Sequence, residues 1–136
     1  MIFQKEITLS QFSRGIHLIT HHITNQLENL PETGILNILL KHTSAAITLN
    51  ENADPTVRVD FNAFLNRLVP DNTSYFEHNL EGADDMPAHI KSSILGQSIT
   101  IPITQYRLNL GTWQGIYLCE FRNNGGRRHL VLTIHS

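Results

Sequence analysis

A single cysteine, Cys119, stands in the whole 136-residue chain. One thiol excludes an intramolecular disulfide and a four-cysteine zinc ribbon. Charge is scarce as well: Asp, Glu, Lys and Arg make up 16 % of residues, where about a quarter is usual. Neither sign dominates. The net charge is −2 and the pI about 6.4, which excludes the strongly basic footprint of a nucleic-acid binder. No apolar run approaches the ~18–20 residues that span a bilayer. The opening Met1-Ile2-Phe3-Gln4-Lys5-Glu6 does not read as a secretory signal. No repeat, low-complexity tract or linker breaks the chain. The expectation is a cytoplasmic, soluble protein with neither nucleic acid nor membrane as partner. So little charge on a soluble chain points to surface covered by a partner or by a copy of itself.

Hydrophobic residues are plentiful at 40 %, so the chain has the material for a core and is not disordered. Its length fits one domain, residues 1–136. Residues 2–9 alternate as a half-buried strand, and Ile16 to Ile19 read as a second. Ile23, Leu27 and Leu30 then fall at helical spacing, with Thr20 as a candidate N-cap. Ile35 to Leu40 is a nearly continuous apolar run and reads as a buried strand; Ala45 to Leu49 is extended. Asp54-Pro55 pairs a capping acceptor with a proline at the first helical position and predicts a helix to Leu68. Residues 71–83 read as a loop with a short strand at Tyr75 to His78. Asp84-Asp85-Met86-Pro87 opens a helix that ends at Gly96. Residues 98–103 alternate, with Pro102 marking an edge or a bulge. Residues 112–122 and 127–135 read as strands joined by a hairpin turn at Asn123-Asn124-Gly125-Gly126. Strands with two or three inserted helices, lacking a regular βαβ rhythm, predict an α+β fold.

Eight histidines are more than a chain of this size needs. In the window from Glu77 to His89, Asp85 and His89 are four apart, on one helical face. A carboxylate beside an imidazole fixes its tautomer and suits acid–base work. His78 and His89 with that carboxylate also make a set that can hold a divalent ion with one position left open. The plainer alternative is a capped helix with a local Asp–His pair. His42 ends an apolar strand face and is followed by the hydroxyls of Thr43 and Ser44, which suits the rim of a pocket; a core histidine on a backbone carbonyl is the alternative. Asn50, Glu51, Asn52 and Asp54 crowd one strand-to-helix turn and suit an anion, a hard cation, or capping alone. On residues 112–122, Thr112, Gln114, Glu120 and Arg122 share the face of Ile116 and Leu118, opposite Cys119, whose apolar neighbours predict a buried, inert thiol. Gly125-Gly126-Arg127-Arg128 suits a phosphate or a plain turn.

Together these segments resemble a known family. They are His42-Thr43-Ser44-Ala45, Asn50 to Pro55, Asn66 to Pro70, Glu81-Gly82, Asp84 to Lys91, Leu110 to Tyr117 and Gly125-Gly126. In this order they are similar to the YjbQ family of secondary thiamine-phosphate synthases, over nearly the whole chain. Ala83 stands where the family often has proline, and Arg127 replaces a small residue. The resemblance implies an α+β fold with a curved antiparallel sheet, a homotrimer, and weak synthesis of thiamine phosphate from a pyrimidine pyrophosphate and a thiazole phosphate.

Chemistry then assigns roles. His42, Asp85, His89 and Glu120 are the candidate catalytic residues. Thr43, Ser44, Asn50, Thr112, Gln114, Arg122 and Arg128 are candidates for binding a phosphorylated substrate. His42, His78, Asp85 and His89 are the candidate ligands of a divalent metal, Mg²⁺ or Zn²⁺. Two other readings stand beside the synthase: a metal-dependent hydrolase or lyase using the His/Asp cluster, and a non-catalytic oligomeric ligand-binding protein.

Overall fold

A computed structural model describes residues 1–136. Its strands are β1 (Ile2–Leu9), β2 (Gly15–Leu18), β3 (Thr33–Leu40), β4 (Ala45–Glu51), β5 (Ser98–Thr104), β6 (Arg107–Leu108), β7 (Gln114–Glu120) and β8 (Arg128–His135). The helices are α1 (Thr20–Thr24), α2 (Pro55–Leu68) and α3 (Asp85–Leu95). Five strands pair in the order β1-β8-β3-β5-β6 and three in the order β2-β7-β4. Every pairing is antiparallel.

Alternation explains why the two sheets close on each other as a half-barrel. Ile7, Leu36, Ile38, Leu40, Ile101, Ile103, Leu130 and Leu132 all point inward from the five-stranded sheet. They meet Ala45, Ile47, Ile116 and Leu118 of the three-stranded one. Each fully buried aliphatic contributes on the order of 1.5–3 kcal/mol. Ile19 and Ile23 at α1 join the same core. The opposite parity of β4 and β7 builds a second core, in which Ala46, Cys119 and Phe121 pack on Leu65 of α2 and Ala88 of α3. Burial pushes the Cys119 thiol up to about 12, so it carries no thiolate near neutral pH. The layers are therefore the five-stranded sheet, the three-stranded sheet and the α2–α3 pair.

Several expectations change. The turn at 123–126 is not a hairpin: β7 and β8 lie in different sheets, and the segment carries the chain from one to the other. The apolar run of β3 is not buried on both faces, since Ile35 and Leu39 are each 42 % exposed on a face that no helix covers. The helix from Thr20 stops at Thr24, and Thr20 is not its cap. The Thr20 hydroxyl instead accepts the Ile116 N–H of β7. No strand forms at 75–78; that stretch is turns and bends. Asp54 does cap α2, accepting the Thr56 N–H at 2.9 Å, and Pro55 takes the first helical position. Pro102 lies on β5, bordered beyond only by the two-residue β6, close to the sheet edge.

Candidate metal centre

The opening of α3 places Asp85 at its first residue and His89 one turn on. Asp85 is only 1 % exposed, and each of its carboxylate oxygens is committed. Oδ1 takes the Arg122 guanidinium; Oδ2 lies 2.6 Å from His78 Nε2 and 3.3 Å from His89 Nε2. The two imidazole rings meet edge to face with centroids 5.3 Å apart. His78, Asp85 and His89 each offer one ligand atom, all within 4.8 Å of one another. Burial alone would raise the Asp85 carboxyl. The His78 hydrogen bond and the charges of Arg122 and His89 outweigh it and hold the group below the usual carboxylate range.

Arg122 is the brace of this arrangement. Its Nε donates to Asp84 at 2.9 Å and its Nη2 to the Glu81 carbonyl at 2.9 Å. Asp84 also accepts the Asn123 N–H, so it ties the end of β7 to the start of α3 and makes no cap with its side chain. Burial works against the Arg122 charge, but Asp84, Asp85 and Glu81 more than restore it, and its pKa lies above the ordinary value.

His89 is held from the other side. Its Nδ1 lies 2.8 Å from the Thr43 carbonyl, just before β4. A carbonyl only accepts, so Nδ1 carries the proton and donates. That leaves Nε2 turned toward a carboxylate oxygen. A lone pair facing a carboxylate is repulsive unless a positive charge sits between them, either a proton on Nε2 or a metal ion. Ligands of a tetrahedral ion at 2.0–2.2 Å stand about 3.4 Å apart. The His89–Asp85 pair already has that separation. His78, at 2.6 Å from Asp85, would have to swing out to that separation; its side chain is 49 % exposed and sits on the 71–83 loop, where it is free to do so. The donor set thus fits a divalent ion, with Thr43 and Arg122 as the outer partners that orient its ligands.

The other candidates fall elsewhere. His42 is not part of the cluster, contrary to its expected place among the ligands. Its Nε2 accepts the His129 N–H at 2.8 Å, and its ring stacks on His129 at 5.5 Å. Burial first, then Arg128 and His129, push its pKa down, so it stays neutral and anchors the 41–44 segment. Ser44 offers its carbonyl, not its hydroxyl, to Arg128. Arg128 and Glu120 form a closed bidentate pair with side chains 5 % and 0 % exposed, at the end of the core between the sheets. A Cβ on Gly125 would stand 2.1 Å from Glu120 Oε1, so only glycine lets the chain pass over that carboxylate. Asn50, Thr112 and Gln114 gather at the far end of β7, about 20 Å from Glu120 along the strand. There Gln114 accepts the Gly111 N–H, and Asn52 holds the carbonyls of Thr112 and Gln114. The sequence-predicted site therefore divides into two groups that do not meet within one chain.

Two features were missed by sequence reasoning. Two hollows flank the cluster, one within the 71–83 loop and one along α3; the length of that loop was the available signal, since connections of this size in compact domains are commonly functional. Lys91 is fully buried. Its Nζ donates to Asn66 at 3.0 Å and lies 4.9 Å over the Phe121 ring. Nothing in its neighbours along the chain signals this.

A family model described as UPF0047 protein YjbQ-like matches residues 5–136. The chain belongs to this YjbQ-like family. It is 57 % identical over 138 residues to the UPF0047 protein YjbQ of Salmonella typhimurium, covering 100 % of this chain and 99 % of that protein. With the UPF0047 protein YjbQ of Escherichia coli O157:H7 it shares 55 % over the same spans. Among solved structures, a YbjQ-like protein of unknown function from Sulfolobus solfataricus superposes with a TM-score of 0.83 at 25 % identity, covering 98 % of this chain and 96 % of that one. A YjbQ/UPF0047 protein of Clostridium acetobutylicum gives 0.77 at 34 % identity, covering 96 % and 99 %. The half-barrel with its α2–α3 layer is thus the fold of this YjbQ-like family.

Proposed function

We propose that this YjbQ-like chain is a divalent-metal enzyme of the hydrolase or lyase class, centred on His78, Asp85 and His89. The observation that carries it is the pinned tautomer of His89: Nδ1–H is held by Thr43, and Nε2 faces the Asp85 oxygen that His78 also touches. Two imidazoles and one carboxylate suit Zn²⁺ better than Mg²⁺, which prefers oxygen ligands. When bound, such an ion supplies Lewis acidity and a water of lowered pKa. The chain's own part is positional. Arg122 and Asp84 fix the Asp85 carboxylate, Thr43 fixes His89, and His78, on the loop, is the one ligand with room to move.

The resemblance to thiamine-phosphate synthases gives a second reading. It is favoured by the loop hollow next to His78, where Asn72, Thr73, Ser74 and Asn79 offer neutral donors to a phosphate. Against it, the two guanidinium groups expected to take a diphosphate are both already paired, Arg122 with Asp84 and Asp85 and Arg128 with Glu120. The homotrimer that the resemblance implies is supported by the uncovered face of the five-stranded sheet. There Ile2, Ile35 and Leu39 lie exposed among the uncharged row Gln4, Thr133, Asn37 and Thr100.

The test is elemental analysis of tag-free protein beside turnover of both thiamine precursors with and without Mg²⁺. Stoichiometric zinc that the His89→Ala variant loses, with negligible turnover of the precursors, supports the hydrolase or lyase. Mg²⁺-dependent turnover with no zinc retained overturns it in favour of the synthase.

A further inference from the structure

The turn Asn123-Asn124-Gly125-Gly126, between β7 and β8, takes no part in the metal centre's ligand set. It is a strap fixed at both ends. At the front, the Asn123 N–H donates to Asp84 at 2.9 Å, and the Asn123 side-chain oxygen accepts from Arg14 at 3.2 Å. At the back, Arg128 is closed on Glu120. Between these anchors, no backbone or side-chain group of residues 124–127 makes a hydrogen bond. Asn124 is exposed. A segment with so few bonds opens locally at little cost.

Asn124 is also the one asparagine in the chain that precedes a glycine. In such a pair the main-chain nitrogen of the glycine attacks the side-chain Cγ of the asparagine. The new N–Cγ bond closes a five-membered succinimide, and the Cγ–Nδ2 bond breaks. The proton of the glycine N–H leaves with the amide nitrogen as ammonia. Water then opens the ring at either carbonyl, giving aspartate or isoaspartate; nothing is oxidised or reduced. A β-carbon on the following residue crowds this attack, and glycine has none. Here the Gly125 N–H has no partner to give up and the Asn124 amide has none to lose. Glu120 crowds only the place where a Cβ on Gly125 would stand, and the succinimide adds no atom there. Asn123 differs on both counts. Arg14 and Asp84 hold it, and the residue after it carries a β-carbon.

We propose that Asn124 is a spontaneous deamidation site of the folded protein, and that the isoaspartate it yields makes this strap a substrate for an S-adenosylmethionine-dependent isoaspartyl methyltransferase. The change adds one negative charge to the strap. In isoaspartate it also adds one carbon to the main chain between the two anchors. None of this chemistry involves the metal centre.

The experiment ages the intact protein at 37 °C and pH 8, folded in one sample and in concentrated guanidinium chloride in another. Asn124→Gln is aged beside it, since its longer side chain has to close a six-membered ring. Trypsin, cutting after Arg122 and Arg127, frees residues 123–127 as one short peptide. Digestion in heavy-oxygen water marks any ring that opens only during work-up. In the folded sample, Asn124 is expected to exchange its amide NH₂ for OH before any other asparagine, at a rate within about tenfold of that in guanidinium chloride. Aged wild type is expected to take up methyl groups from S-adenosylmethionine and the methyltransferase, and aged Asn124→Gln to take up far fewer. A folded rate below that margin, a first change at another asparagine, or equal methyl uptake by the two proteins overturns the proposal.

Discussion

The Nδ1–H of His89 is held by the carbonyl of Thr43, a residue 46 positions away on the other side of α2. That bond sets which nitrogen of His89 is free for a metal. His42, one residue before Thr43, is in turn anchored to the His129 N–H. The prediction is a graded pair. His89→Ala removes a ligand and abolishes stoichiometric zinc binding, with the circular dichroism spectrum unchanged. His42→Ala keeps the stoichiometry but weakens affinity about 10-fold, the usual effect of loosening an outer partner. Competition against a chromophoric chelator reads both. Equal losses would make His42 a ligand after all.

How much of this was legible depends on how local the cause is. Asp54-Pro55 starts α2 by contacts within two residues. Asp85 and His89 meet because a helix turns every 3.6 residues, and both features stand in the sequence. The sheet partner of a strand does not. Gly125-Gly126 signals a turn, but a turn signal is silent on whether the chain doubles back or changes sheets, and here it changes. Thr20 looks like a cap until Ile116, 96 residues on, takes its hydroxyl. The Thr43 carbonyl is invisible to any reading of side chains, and Lys91 is inside because Asn66 and Phe121 come to it from elsewhere.

The Asp54 side chain accepts both the N–H and the hydroxyl of Thr56, and those bonds hold its carboxyl below the ordinary value. Asp54→Ala is expected to lower Tm by about 3 °C near neutral pH without changing zinc content. A depressed carboxyl stabilises the fold above its unfolded pKa and loses that contribution as pH falls through its folded one. The difference between wild type and variant therefore closes in acid. Calorimetry across pH checks it, and a gap that persists in acid would point to a cause other than the ionised cap.

Burial holds Lys91 at about 8, with Arg14 adding to the depression and Asp71 and Asp84 only partly opposing it. Arg14 and Lys91 both donate to the same Asn66 oxygen, so removing Lys91 leaves that acceptor satisfied. Lys91→Met keeps the volume and deletes a buried charge; Tm is expected to rise by about 2–5 °C at pH 7. Between about pH 8 and the ordinary lysine value, the unfolded chain holds a proton the folded one has shed, so wild-type stability rises with pH in that window. The variant lacks this rise, and its advantage shrinks toward pH 10. Chemical denaturation at pH 7 and pH 9.5 measures the change.

Leu39 is 42 % exposed at the middle of the uncovered sheet face, paired with Val131 on β8. If that face is where copies meet, Leu39→Lys places a charge in the contact and shifts the assembly to monomer. Sedimentation velocity reads this directly. A trimer that survives the substitution, or a wild-type protein that is already monomeric, removes this face as the interface.

Glu120 and Arg128 give the sharpest separation of a structural role from a chemical one. Removing one partner of a buried pair leaves the other charged and unmatched, at about 3–5 kcal/mol. Arg128→Met alone is expected to cost that much in urea denaturation, because the Arg122 N–H is then the one remaining donor on the Glu120 carboxylate among the bonds it makes now. Glu120→Met with Arg128→Met deletes both charges and is expected to cost less than Arg128→Met alone. Gly125→Ala, which would drive a methyl into the same carboxylate, is expected to destabilise wild type more than the double variant. Zinc binding separates the roles, since the pair reaches the centre through backbone groups, the Arg122 N–H on Glu120 and the Ser44 carbonyl, next to Thr43, on Arg128. A double variant that folds and binds zinc with unchanged affinity makes the pair a clamp between the sheets. One that folds and loses zinc would draw Glu120 into the centre, where its carboxylate would have to reach through Arg122.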